Sequence, residues 1–340
     1  MALAEVTVAN SIPRFSVHYC LSEPRHQINS DERKPRHFYP ASLFLQLTRA
    51  IMVAASEQQA RELIAQAQKK LKSWSFFGPS NKFEDAAELY EKAGNMYKLA
   101  QQWSLAGDAF IEAAKLFEKA NGAKFDGSRA YENAAKCYKR HDPRAAVKAL
   151  HEAIALDQEG GNFRQAARHY QEAAELLETE LDDAKGAYDA YEHAADLFSA
   201  DESPAMANKC FLKVAQIAAD LDMYDVAIEK FERVAAAAVD DNLLKWSLKE
   251  YFLKAGLCHL CTDDMVRARQ ALNSYCGMDM SFETTREYQL LKGVMDSIDN
   301  GDVEQFTQAV YEYDKLTKLD SWKTAILLKI KKSMDQDDLR

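Results

Sequence analysis

Small and bulky apolar residues recur along the middle of this chain in one arrangement, eight times, at intervals of 19 to 21 residues. A bulky side chain stands at Tyr90, Phe110, Tyr131, Leu150, Tyr170, Tyr191, Phe211 and Phe231. Four residues earlier comes a tiny one: Ala86, Ala106, Gly127, Ala146, Ala166, Ala187, Ala207 and Ala227. Three residues later comes another small or short apolar one: Ala93, Ala113, Ala134, Ala153, Ala173, Ala194, Val214 and Val234. Offsets of minus four and plus three put all three on one face of an α-helix. A knob between two small neighbours suits closely stacked helices. The pattern predicts an all-α fold, a tetratricopeptide-like solenoid built as a twisted sheet of antiparallel helices. Two helices make a unit of about 40 residues, somewhat longer than the usual tetratricopeptide unit. Arrays of this kind commonly bind other proteins.

The punctuation agrees with the period. Asn121-Gly122 can end a helix and Gly160-Gly161 can turn one. Asp142-Pro143 and Ser203-Pro204 each supply an N-cap followed by proline at the first helical position. Before the array, Glu57 to Lys72 is strongly helix-forming. The segment 73–81, Ser-Trp-Ser-Phe-Phe-Gly-Pro-Ser-Asn, breaks that helix, and Asn81 with Glu84 can cap the next. Past Val239 the period fades, yet Leu243 to Cys261, Met265 to Tyr275, Thr284 to Ile298 and Val303 to Lys332 still read as helices. Trp246, Phe252, Leu253, Leu290, Phe306, Tyr313, Trp322 and Leu328 are the expected core of that part.

Four stretches follow from this. Residues 52–240 are the array, with its aromatic loop at 73–81. Residues 241–332 form a C-terminal helical bundle, and 333–340 an acidic tail. Residues 1–51 stand apart, with four of the seven prolines, none of the twelve glycines and an excess of basic over acidic residues. They read as a disordered or non-native extension ahead of Met52, with a short helix at Ser42 to Ile51.

Charge removes some functions and suggests another. The 340 residues carry 43 basic and 53 acidic side chains, a net charge of −10, so nucleic acid is not an expected partner. No apolar run approaches the length of a membrane span. The six scattered cysteines show no disulfide framework. Cys258 and Cys261 would share a helix face, but no second pair stands at zinc-site spacing, so packed thiols are expected and no metal or cofactor. His169 and His193 are expected on solvated helix surfaces. No nucleotide-binding or nucleophile motif is present, and the chain is not expected to be an enzyme.

Two residues before each knob a side chain points away from the core contact. Those positions read Glu88, Asp108, Arg129, Lys148, Arg168, Asp189, Lys209 and Glu229. Alternate helices of a solenoid line opposite faces. One face therefore takes Glu88, Arg129, Arg168 and Lys209, with Lys213 one turn on and Lys139 and Arg140 ending the same set of helices. The other tends acidic. The basic face would seat an elongated acidic partner. Phe76 and Phe77, adjacent in an irregular segment, either pack on the first helix or form an exposed tip for weak, reversible membrane contact.

Several segments resemble the soluble NSF attachment proteins of the alpha type. These are Lys72-Ser73-Trp74-Ser75-Phe76-Phe77-Gly78, the run Ala207 to Ala215, Asn242-Leu243-Leu244-Lys245-Trp246, and Leu319 to Lys323 with the ending Asp337-Asp338-Leu339-Arg340. The resemblance covers residues from about 57 to 340. It implies an adaptor that binds the four-helix bundle of assembled SNARE proteins, including the syntaxin type. It also implies recruitment and stimulation of the hexameric ATPase NSF, on the cytosolic face of membranes. Arg168 and Lys209 match basic positions of the family's SNARE-binding face, with Arg129, Lys139, Arg140, Lys213 and Lys249 as neighbours. Phe76 and Phe77 match its membrane-contacting loop. Asp337, Asp338 and Leu339 match its NSF-binding tail. Gln101 departs, standing where relatives often carry lysine before the tryptophan, here Trp103. The alternative is a generic tetratricopeptide-like scaffold for another helix or peptide.

Overall fold

The computed structural model describes residues 41–72, 79–120, 122–239, 241 and 245–337. These form fourteen α-helices and one 3₁₀ turn, with no strand among the described residues. The helices are α1 (Ala41–Lys72), α2 (Pro79–Leu99), α3 (Trp103–Lys119), α4 (Lys124–Tyr138), α5 (Pro143–Glu159), α6 (Phe163–Thr179) and α7 (Ala184–Ala200). They continue with α8 (Pro204–Asp220), α9 (Tyr224–Val239), α10 (Lys245–Leu260), α11 (Met265–Met278), α12 (Arg286–Asn300), α13 (Val303–Leu316) and α14 (Ser321–Asp337). The chain divides into two compact units, Met1–Thr48 and Arg49–Arg340. Of the first, only the helical residues Ala41–Thr48 are described. Helix α1 crosses position 52 without a break.

Each of the eight repeats occupies one helix, α2 to α9. The small residues on both sides of the knobs are buried in all eight. Seven knobs are buried as well, among them Phe110, Leu150, Phe211 and Phe231 at 1% exposure or less. Each fully buried large side chain contributes roughly 1.5–3 kcal/mol. Tyr170 is the exception, only partly buried and packed against His193, with ring centroids 5.2 Å apart.

A second buried face was not legible in the repeat. The residue just before the knob is also a core position: Ala109, Ala130, Ala149, Ala190 and Cys210 are all buried there. So is the residue four after it, from Ala114 and Ala135 to Ala235. Each array helix is packed on two sides, as a solenoid requires. This corrects the expectation for His169. It stands just before Tyr170, is 2% exposed, and places Nδ1 3.0 Å from Asp157 Oδ2, itself 1% exposed. His193 is exposed as expected.

The caps agree in part. Asp142 accepts from the Ala145 N–H with Pro143 at the first helical position. Ser203 has the proline but makes no capping bond to the helix. Gly122 and Gly161 have φ of +90° and +76°, which end their helices at no steric cost. Asn81 is not a cap, because α2 starts two residues earlier at Pro79, whose fixed φ suits a first helical position.

One core runs unbroken from α6 through α14, and a second from α1 to α6. The last expected helix is two, because Thr317 turns extended and Asp320 accepts from the Lys323 N–H. Phe252, Leu253, Leu290, Phe306 and Tyr313 are buried as expected. Trp246 is not: it is 84% exposed, in a first turn of α10 that stands clear of packing that starts at Leu248. Leu328 is 51% exposed, on the outer side of α14.

Candidate functional site

Ion pairs one unit apart show which helices lie side by side. Arg129 of α4 reaches Glu91 of α2 at 3.5 Å, and Lys213 of α8 reaches Glu178 of α6 at 2.8 Å. Lys139, just after α4, lies 3.9 Å from Glu172 of α6. On the other side, Lys230 of α9 meets Glu192 of α7 at 3.5 Å. The even-numbered helices therefore form one layer and the odd-numbered ones the other, as the alternation in sequence predicts. All eight positions two before the knobs are exposed.

The basic layer holds two kinds of cation. Arg129 is neutralised by Glu91 and by Asp126 at 3.1 Å. Lys213 is held by both oxygens of Glu178, which also accepts from the Tyr191 hydroxyl. Lys249 on α10 lies 3.2 Å from the nearly buried Glu287 of α12. Arg140, Arg168 and Lys209, by contrast, are exposed and form no ion pair or hydrogen bond through their side chains among the described residues. Arg168 acts only at a distance: it helps hold the Asp201 carboxyl below its ordinary range, behind the direct hydrogen bond from Arg164. An unpaired surface cation gives up no existing partner when an acidic surface arrives.

The neutralising acids were missed in sequence. For Glu91 and Glu178 the signal is a carboxylate 38 or 35 residues before the cation, about the length of one two-helix unit. Burial raises the Glu91 carboxyl, against the lowering effect of Arg129. A second recurring link joins consecutive helices. Tyr131 donates to Glu118 and Tyr191 to Glu178, each pair 13 residues apart.

The remaining candidates separate cleanly. Phe76 and Phe77 lie outside the described residues, as do Asp338 and Leu339; Asp337 is the last residue of α14. Gln101 is exposed in the turn between α2 and α3, at a left-handed φ of 59°. Cys258 is fully buried, and burial pushes its thiol well up; that of Cys261 is pushed up to about 12. No group of three or more His, Cys, Asp or Glu side chains that could hold a metal occurs among the described residues. Nor is any described helix long and apolar enough to cross a membrane.

Residues 58–335 match the model of the soluble NSF attachment protein family. A probable vesicular-fusion protein sec17 homolog of Schizosaccharomyces pombe is 45% identical over 283 residues, 82% of this chain and 98% of that protein. Alpha-soluble NSF attachment proteins of Mus musculus and Homo sapiens are each 41% identical over 294 residues, 84% of this chain and 99% of theirs. These names describe attachment and fusion, not catalysis. With its alternating helical layers and its family match along most of its length, the chain belongs to the soluble NSF attachment protein family.

Proposed function

We propose that this protein is a non-catalytic adaptor in vesicle fusion, which lays its even-helix layer along an assembled SNARE bundle and presents its C-terminal tail to NSF. The family match supports the vesicle-fusion role. The observation that carries the choice of face is the exposed, unpaired cations Arg168 and Lys209 on two even-numbered helices, with a third, Arg140, in the turn after α4. Arg129, Lys139, Lys213 and Lys249 flank them and are already partnered by acids of the same protein. A rod of acidic character fits such a row, because its charges replace water around cations that have nothing to lose. In this proposal Phe76 and Phe77 touch the membrane on the cytosolic face, and Asp337, Asp338 and Leu339 engage the ATPase.

The test is a pull-down of soluble SNARE bundle by the variant Arg168→Glu with Lys209→Glu. Both side chains lie on the surface and bind nothing within the protein, so thermal unfolding should stay near that of the wild type. Bundle capture should fall by about tenfold or more, through lost attraction and new repulsion. Undiminished capture by a well-folded variant would refute the assignment of this face.

A further inference from the structure

Helix α14 is fastened to a part of the array about a hundred residues earlier in the chain. The Trp322 indole N–H donates to the Gln216 carbonyl at 3.2 Å, and its ring meets Phe231 edge-on with centroids 5.7 Å apart. Two turns further along α14, Lys329 Nζ donates to the Ala219 carbonyl at 3.3 Å and to Asp222 at 2.6 Å. Gln216 and Ala219 lie in the last turns of α8, and Asp222 is in the turn that follows it. Lys329 thus caps the negative end of a helix remote in sequence. The bond from Lys329 is also the main cause holding the Asp222 carboxyl below its ordinary range.

Two anchors spaced along one helix fix a direction; one would leave a pivot. Both pairs advance in the same sense, over seven residues of α14 but only three of α8, so α14 passes the C-terminal end of α8 in a fixed direction. The orientation is locked from a third side. Lys323, 6% exposed, pairs with Glu250 of α10 at 2.8 Å and with Asp320 at 2.9 Å. Lys254 of α10 stands over the Trp322 ring, 5.6 Å from its centroid. Helix α8 is also the helix that carries Lys209 and Lys213. From Lys209 to Ala219 is ten residues, about 15 Å of helix.

We propose that α8 and α14 form one rigid joint, in which Trp322 and Lys329 are positioning residues. They set where the C-terminal tail leaves the molecule relative to the basic layer. This rests on the proposed roles of that layer and of the tail. The joint transmits a fixed geometry: a bundle held on α8 thereby sets the tail's place before the ATPase.

The test uses the full-length chain with Lys329→Met and Lys329→Arg, and with Trp322→Phe as a second lesion that keeps the aromatic contact. Lys329→Met should bind soluble SNARE bundle within about twofold of the wild type. Its half-maximal concentration for stimulating NSF should rise by about fivefold or more, the scale of a lost coupling between sites. Lys329→Arg should restore the wild-type value, since a guanidinium can reach the same carbonyl and carboxylate. Amide hydrogen exchange in α14 should accelerate by about tenfold in Lys329→Met and Trp322→Phe, with α2 to α7 unchanged. Wild-type stimulation by Lys329→Met, alongside its loss in Leu339→Ala, overturns the joint. So does a parallel loss of SNARE binding, which would make α14 a mere support of the array. If Leu339→Ala itself stimulates normally, the tail's role is what fails; the exchange measurement then decides the joint alone, and unchanged exchange overturns it.

Discussion

At the scale of the residue, burial decides which polar groups are chemically available. His169 and Asp157 carry charge-capable groups yet share a core site, because the position before each knob faces the neighbouring layer. The cysteines make the same point. Burial is the first cause raising the thiols of Cys137, Cys210, Cys258 and Cys261, with Cys210 pushed up to about 11 and Cys261 to about 12. The thiolate is the reactive form, so near neutral pH these four should resist alkylation in the native protein. In denaturant their values return to about 8.5 and all four should react. Mass spectrometry after iodoacetamide treatment at pH 7.5 checks this, and rapid native labelling of Cys258 would contradict its placement. The C-x-x-C spacing was visible in sequence; that one member is fully enclosed was not.

At the scale of the element, helices pack as closely as their smallest residues allow. Gly256 in α10 shows it: a Cβ there would lie 2.6 Å from a methyl carbon of the fully buried Leu291. Gly277 in α11 has open space where a Cβ would go. Alanine is worth about 1 kcal/mol over glycine inside a helix, so Gly277→Ala should stabilise by roughly 0.5–1 kcal/mol. Gly256→Ala should destabilise by roughly 1–3 kcal/mol, since overpacking outweighs propensity. Urea unfolding of the two variants measures the contrast, and equal effects would mean that α10 and α12 are less tightly apposed. The same closeness runs through the array, where small residues on both sides of the knobs are buried. The sequence declares one of those faces through its period. The second face carries no such mark, because alanine is common on any helix.

At the scale of the whole molecule, the layers sort charge. The protein is acidic, yet unpaired cations stand on its even-numbered helices at Arg168 and Lys209, with Arg140 in the turn after α4. A partner held by that layer should bind less well as salt rises, because exposed charges are screened over about 8–10 Å at physiological ionic strength. Between 0.05 and 0.3 M salt the affinity for a SNARE bundle should fall by about tenfold. Arg168→Gln with Lys209→Gln should flatten that dependence. Arg129→Gln should change it far less, since Glu91 and Asp126 already neutralise that guanidinium. Isothermal calorimetry across a salt series separates the three, and a steep dependence in the double variant would move the contact elsewhere.

The sequence by itself determined the helical array, its period, its two alternating faces and the family to which it belongs. These depend on local geometry: an offset of three or four residues means one side of a helix wherever that helix lies. Tertiary structure alone decided which cations of the basic face are free. Arg129 and Arg168 hold equivalent places in the repeat. The neighbouring helix, one unit away, adds Glu91 to the first, beside Asp126 of its own helix, and adds no acid to the second. It also decided that the C-terminal helix is tied to α8 through Trp322 and Lys329. Such pairings join residues 35 to 110 positions apart, and no periodicity along a chain encodes a contact that depends on how two helices meet in space.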